Sequence, residues 1–175
     1  DSHDIELALK ELGFKVILVQ DADKKKMDQA IGDFIAQLKA NTVSLFYYAG
    51  HAVQLNNINY LLPINSIPAI SENLKEISDD EKIQRLQEEA ISSKDLMDQM
   101  ANSNSQLNLI FLDACRNNPL PHVSEKGLAK NLIDNKGTVT NFLISYSTYP
   151  GGVAKDGNGW FSRNSPYTKY LLEFI

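Results

Sequence analysis

A single cysteine stands in 175 residues, together with one tryptophan and three histidines. One thiol excludes an internal disulfide framework and fits a reducing compartment, so cytoplasmic residence is the expectation. Three histidines and one cysteine are too few for a structural zinc site. No apolar run approaches the ~18 residues that a membrane-spanning helix needs, and no membrane partner is expected. Basic charge is also short: 17 Lys and Arg stand against 22 Asp and Glu, a net charge of −5. That balance argues against a nucleic-acid partner, since no basic stripe is available to neutralise phosphates. Acidic loops occur, but none has the ligand spacing of a calcium site; no cofactor is expected, and calcium dependence stays open. No glycine-rich phosphate fingerprint follows Val19 or Tyr48, which argues against a plain doubly wound ligand-binding domain. Repeats and low-complexity tracts are absent too.

What remains is an ordinary one-domain composition, 43% hydrophobic and 22% charged, long enough to bury a proper core. Leu107–Arg116 organises it. Five of the first six residues of this stretch are apolar, and it ends abruptly in Asp113, Cys115 and Arg116. Such a run fits a strand buried on both faces of a parallel sheet, and ligands bind beyond the carboxyl ends of such strands. Asp113 and Cys115 are two apart, so extended geometry points them to one side. A second apolar stretch of the same design, from Val43, ends in Gly50 and His51, 64 positions before Cys115 (115 − 51). A thiol becomes a nucleophile at neutral pH beside an imidazole, and neighbouring parallel strands would bring these two tips together. The bland reading is an inert buried thiol and a satisfied imidazole. His122 is a rival base, but a loop position just after Pro121 gives it no fixed geometry.

The chain resembles the caspase-like cysteine peptidases, nearest to the bacterial caspase-domain and paracaspase-type branch and related to metacaspases. The residues that carry the resemblance are Tyr47-Tyr48-Ala49-Gly50-His51, Asn59-Tyr60-Leu61-Leu62-Pro63 and Leu112-Asp113-Ala114-Cys115-Arg116-Asn117-Asn118-Pro119. Ser145-Tyr146-Ser147-Thr148, Pro150-Gly151-Gly152-Val153-Ala154 and Asn164-Ser165-Pro166-Tyr167-Thr168 follow in the family's order. The resemblance implies an α/β fold, a three-layer sandwich with a mainly parallel central sheet flanked by helices and incomplete at both ends. It divides the chain as one p20-like domain over 1–175, with an acidic insertion at about 66–91 and the start of the p10-like part at about 139–175. The family opens with one more strand before the first helix and continues with further strands after the last. Pairing of two protomers, or with an absent strand or cleaved fragment, is therefore open.

By the same resemblance, Cys115 is the nucleophile and His51 the general base of an endopeptidase. The backbone N–H groups of Ala52 and Cys115 form the oxyanion hole. The family usually has Gly at position 52; alanine keeps the N–H and fails only if the position needs φ > 0. Asp21, at the end of a strand read over Phe14–Val19, lines the pocket for a basic substrate side chain, with Asp113, Tyr146 and Ser147. The expected partner is a protein or peptide with Arg or Lys before the scissile bond. Lys126, Lys130, Lys155 and Arg163, in loops near the active rim, are candidate self-cleavage sites. The alternative is a weak or inactive caspase-like interaction module.

Periodicity supplies the rest of the scaffold. A helix is expected over Ser2–Leu12, and a second over Lys24–Lys39, capped by Asp23, with the stripe Met27, Ile31, Phe34, Ile35 and Leu38. Further strands are expected over Asn59–Ile64 and Val139–Ser147. Ser71–Glu89, polar nearly all round, reads as an exposed loop with helical character. A helix capped by Ser92 or Ser93 follows, then a short helix over Lys126–Leu132 and a last one from Tyr167 to Ile175. The glycine-rich segment Pro150–Ser165 reads as a functional loop, with Trp160 and Phe161 folding over bound peptide.

Overall fold

The computed structural model describes residues 1–55, 58–66, 77–103, 105–114, 142–147 and 164–175. The central layer is a parallel sheet of β1 (Val43–Gly50), β5 (Leu107–Ala114) and β6 (Phe142–Tyr146), in the order β1-β5-β6. Every β1–β5 pair has one register, from Val43↔Leu107 to Gly50↔Ala114. Ser44 and Asn108, opposite each other and both buried, are joined by a 2.6 Å side-chain hydrogen bond that resists a slip of this register.

Helices cover the sheet. α2 (Lys24–Gln37) begins at Asp23, whose carboxylate accepts from the Lys26 N–H at 2.8 Å. Its stripe Met27, Ile31, Phe34 and Ile35, continued by Leu38, packs on the buried cluster of Ile91, Leu96, Met100, Ile110 and Leu112. α4 (Ser93–Asn102) brings Leu96 and Met100 to that cluster and is capped by Ser92, which accepts from Asp95 N–H. α1 (Ser2–Glu11) and α5 (Pro166–Phe174) touch each other, and a hydroxyl of α5 bonds Tyr47 of β1. A small antiparallel sheet of β2 (Ala52–Leu55), β3 (Ile58–Leu61) and β4 (Ile91–Ser92) adjoins the main one.

Two expectations need correction. Phe14–Val19 forms no strand and belongs to neither sheet of the described residues. A strand exists only through a ladder partner, and a cavity of about 710 Å³ has Phe14–Val19 on one side and Leu45–Gly50 of β1 on another. The acidic stretch also contains a true helix, α3 (Asp79–Glu89). Ser78 and Glu81 close a reciprocal capping box at its start. Its face is not wholly polar: Leu86 and the following Ala90 are buried against Leu55 and Tyr60, with Ile83 packed alongside. β2 was not anticipated. The segments expected over Lys126–Leu132 and Pro150–Arg163 lie outside the described residues.

Candidate active site

Adjacent residues of a strand point to opposite faces, and Tyr47 and Tyr48 use this to brace both sides of the β1 tip. The single Tyr48 hydroxyl proton is shared between the His51 carbonyl, at 2.7 Å, and the Leu62 carbonyl, at 3.0 Å. The His51 carbonyl also accepts from the Leu62 N–H at 2.9 Å. The backbone that carries the imidazole is thus tied to β1's own tyrosine and to the end of β3. Burial pushes the Tyr48 hydroxyl well above the ordinary tyrosine range, so it stays a donor. Gly50 is required by the same arrangement. A Cβ there would sit 2.7 Å from the Tyr48 hydroxyl and 2.9 Å from Cζ of its ring.

The His51 side chain is exposed, and among the described residues its ring has no hydrogen-bond partner. It lines the cavity that also takes in Asp21, Tyr48, Gly50 and Pro63. Asp21 is exposed and has φ +45, a left-handed conformation that Asp tolerates better than most residues. Asp21 and His51 therefore share one cavity, although no strand ends at Asp21. Ala52 starts β2 opposite Leu61, is 7% exposed, and is not among the positive-φ residues. The backbone conformation that would have demanded glycine is not used there.

Cys115 lies outside the described residues, but the strand that leads to it is well held. Ser147 donates its N–H to the Leu112 carbonyl at 2.9 Å and its hydroxyl to the Ala114 carbonyl at 3.4 Å. These two bonds straddle Asp113. Tyr146, opposite Leu112, packs on the main core. Asp113 is buried, 6% exposed, and its Oδ2 accepts from the hydroxyls of Ser165 and of Thr168, the latter at 2.8 Å. Tyr47 hydrogen-bonds Thr168 Oγ1 at 2.6 Å. Burial raises the Tyr47 hydroxyl far above its ordinary value, and the Asp113 charge adds to this. Ser165, Thr168 and Tyr48 stand in motifs that carry the resemblance, but sequence alone assigns them no role. The readable signal was Ser165 before Pro166, the pattern of a helix N-cap.

The other expected positions, Lys126, Lys130, Lys155 and Arg163, lie outside the described residues, as do His122, Trp160 and Phe161. Among the described residues no group of His, Cys, Asp and Glu could hold a metal ion, and no helix is long and apolar enough to cross a membrane.

The described sheet places His51 one residue past the end of β1, and in sequence Cys115 comes one residue after the end of the neighbouring β5. The chain belongs to the caspase domain family, whose model matches residues 1–175. It is similar to human mucosa-associated lymphoid tissue lymphoma translocation protein 1, with 22% identity over 174 residues. Identity to the mouse homolog is also 22% over 174 residues. Both matches take in 99% of this chain, which spans 19% and 18% of the two relatives. The resemblance to caspase-like, paracaspase-type proteins therefore holds across the chain, and it implies cysteine-peptidase chemistry in general.

Proposed function

We propose that the domain is a cysteine endopeptidase that cleaves after Arg or Lys through Cys115 and His51. One observation carries the reading. The β1–β5 ladder runs at a constant offset of 64 residues up to Gly50↔Ala114, and in sequence His51 and Cys115 each come one residue after their strand ends, at the same offset. Neighbouring strands are about 4.8 Å apart, within reach of an imidazole and a thiol.

In this mechanism His51 takes the proton of the Cys115 thiol, and the sulfur attacks the scissile carbonyl carbon. The backbone N–H groups of Cys115 and Ala52 hold the oxyanion. Collapse breaks the C–N bond, and His51 gives its proton to the departing amine. A water deprotonated by His51 then cleaves the thioester, releasing the acid and restoring the thiol. Asp113, a buried carboxylate at the same strand end, and Asp21, in the cavity that His51 lines, supply the charge that selects a basic side chain. Tyr146 and Ser147, beside the end of β5, are the further residues proposed for that pocket; the cavity of about 710 Å³ is lined by Asp21 and His51 and not by Asp113, Tyr146 or Ser147.

The test is capture of Cys115 by a peptidyl electrophile ending in Arg. Labelling should be fast in wild type and fall at least tenfold in His51→Ala. Equal labelling of the two proteins would reject the dyad and favour an interaction module that keeps the fold without the activity.

A further inference from the structure

Among the described residues, Asp113 is held by hydroxyls and paired with no cation. We infer that Thr168, Ser165 and Tyr47 are positioning residues that fix this carboxylate for a cationic substrate side chain. The inference rests on the basic-specificity reading above and names residues that reading does not include.

Proton directions follow from the chemistry. An ionised carboxylate only accepts, so the Thr168 and Ser165 hydroxyls both donate to Asp113 Oδ2. With its proton committed, Thr168 Oγ1 accepts from Tyr47, giving a directed chain from Tyr47 through Thr168 to Asp113. Ser165 Oγ is fixed as well, since it accepts from the Thr168 N–H at 3.0 Å as N-cap of α5. The cap is itself anchored. The Ser165 N–H donates to Asp1 Oδ1, and the Asn164 amide donates to Asp4 Oδ2, both at 2.7 Å. Each hydroxyl rotor around Asp113 thus has one orientation.

Both bonds fall on Oδ2, and among the described residues Oδ1 accepts none. Nor is Asp113 in an ion pair with any described Lys, Arg or His. A resident cation would hold the carboxylate but cancel its pull on a basic substrate. Neutral hydroxyls hold it and leave the charge in place, in surroundings where a charge–charge contact is stronger than in water. A purely structural role would instead make Asp113 a clamp on the start of α5, and the loss of a donor would then lower stability alone.

The experiment compares kcat/KM for two tripeptidyl aminomethylcoumarins that differ only at the residue before the scissile bond, Arg or its uncharged isostere citrulline. In Thr168→Val the Arg-to-citrulline ratio should fall about tenfold, through a higher KM for the Arg substrate, as expected for one hydrogen bond to a charged group. Thr168→Ser, which restores the hydroxyl, should return the ratio to within threefold of wild type. Should Thr168→Val not fold, Tyr47→Phe reads the distal donor, with a fall of about threefold. A ratio within twofold of wild type in the folded variants overturns the inference while leaving the basic preference standing. A wild-type ratio near one rejects the basic-specificity reading itself, and this inference with it.

Discussion

Gly50→Ala tests the brace behind His51. The added Cβ would lie 2.7 Å from the Tyr48 hydroxyl and 2.9 Å from Cζ, closer than real Cβ contacts allow, and a tight 3.3 Å from Cε1. Tyr48 cannot swing away freely, because its hydroxyl is tied to the His51 and Leu62 carbonyls. Overpacking of this kind costs about 1–3 kcal/mol, and losing the hydroxyl's bonds adds about 1 kcal/mol. A net loss of about 3 kcal/mol lowers Tm by about 6–12 °C for a chain of this size. Tyr48→Phe removes the atom at 2.7 Å but keeps the ring carbon at 2.9 Å, so relief is partial. Gly50→Ala should therefore cost about 1 kcal/mol less in the Tyr48→Phe background than in wild type. Urea denaturation of the four proteins of this cycle gives the coupling, and electrophile labelling of Cys115 reports whether His51 has moved. Additive costs, or a Gly50→Ala protein as stable as wild type, would refute the argument.

Three further outcomes are expected. Cys115→Ala should abolish hydrolysis of the Arg substrate and leave Tm within about 2 °C, since most of the cost of a substitution scales with the volume removed; retained turnover would remove Cys115 as nucleophile. Wild-type protein should nick itself after Lys126, Lys130, Lys155 or Arg163 on incubation, and Cys115→Ala should not; terminal sequencing that finds the same cuts in both would assign them to a contaminant. Stability should fall above about pH 10, because burial raises Tyr47 and Tyr48 above the ordinary tyrosine value, so the unfolded chain gives up these protons first. Their contribution is fully present below that pH and is lost above it at up to about 1.4 kcal/mol per pH unit for each. The urea midpoint should show this slope, and Tyr48→Phe should reduce it.

The parts of the fold legible in the sequence are those decided by local pattern. The stripe Met27, Ile31, Phe34, Ile35 and Leu38 packs on the core as its spacing requires, and Asp23 and Ser92 cap the helices they precede. The apolar runs ending at Gly50 and Ala114 are neighbouring parallel strands. Where pairing decides, the pattern is not enough. Phe14–Val19 has the composition of a strand, yet strand membership depends on a partner that its own residues do not encode. Ala52–Leu55, which directly follows a candidate catalytic residue, is assigned no element from sequence, and the antiparallel register with β3 makes it a strand. α3 shows a third kind of failure. Ile83, Leu86 and Ala90 form a stripe too narrow to stand out among charges, although Ser78 and Glu81 spelled the capping box.

The candidate site divides along the same line. His51, Cys115 and Asp113 were readable because each ends an apolar run, where a polar residue needs a reason. The residues that hold Asp113 were not, since Ser165 and Thr168 lie 52 and 55 positions away and look like an ordinary helix start. Only the folded chain shows that the cap of α5 also grips a buried carboxylate. That double use bears on function. A helix N-terminus favours negative charge nearby, and hydroxyl donors satisfy a carboxylate without neutralising it. Together they let the β5 tip keep an anion beneath the protein surface with no resident cation among the described residues. An unneutralised buried charge is costly, and a cationic side chain that pairs with it recovers part of that cost on binding. The preference proposed for Arg and Lys follows from this imbalance, and an uncharged citrulline substrate lacks the one feature that would relieve it.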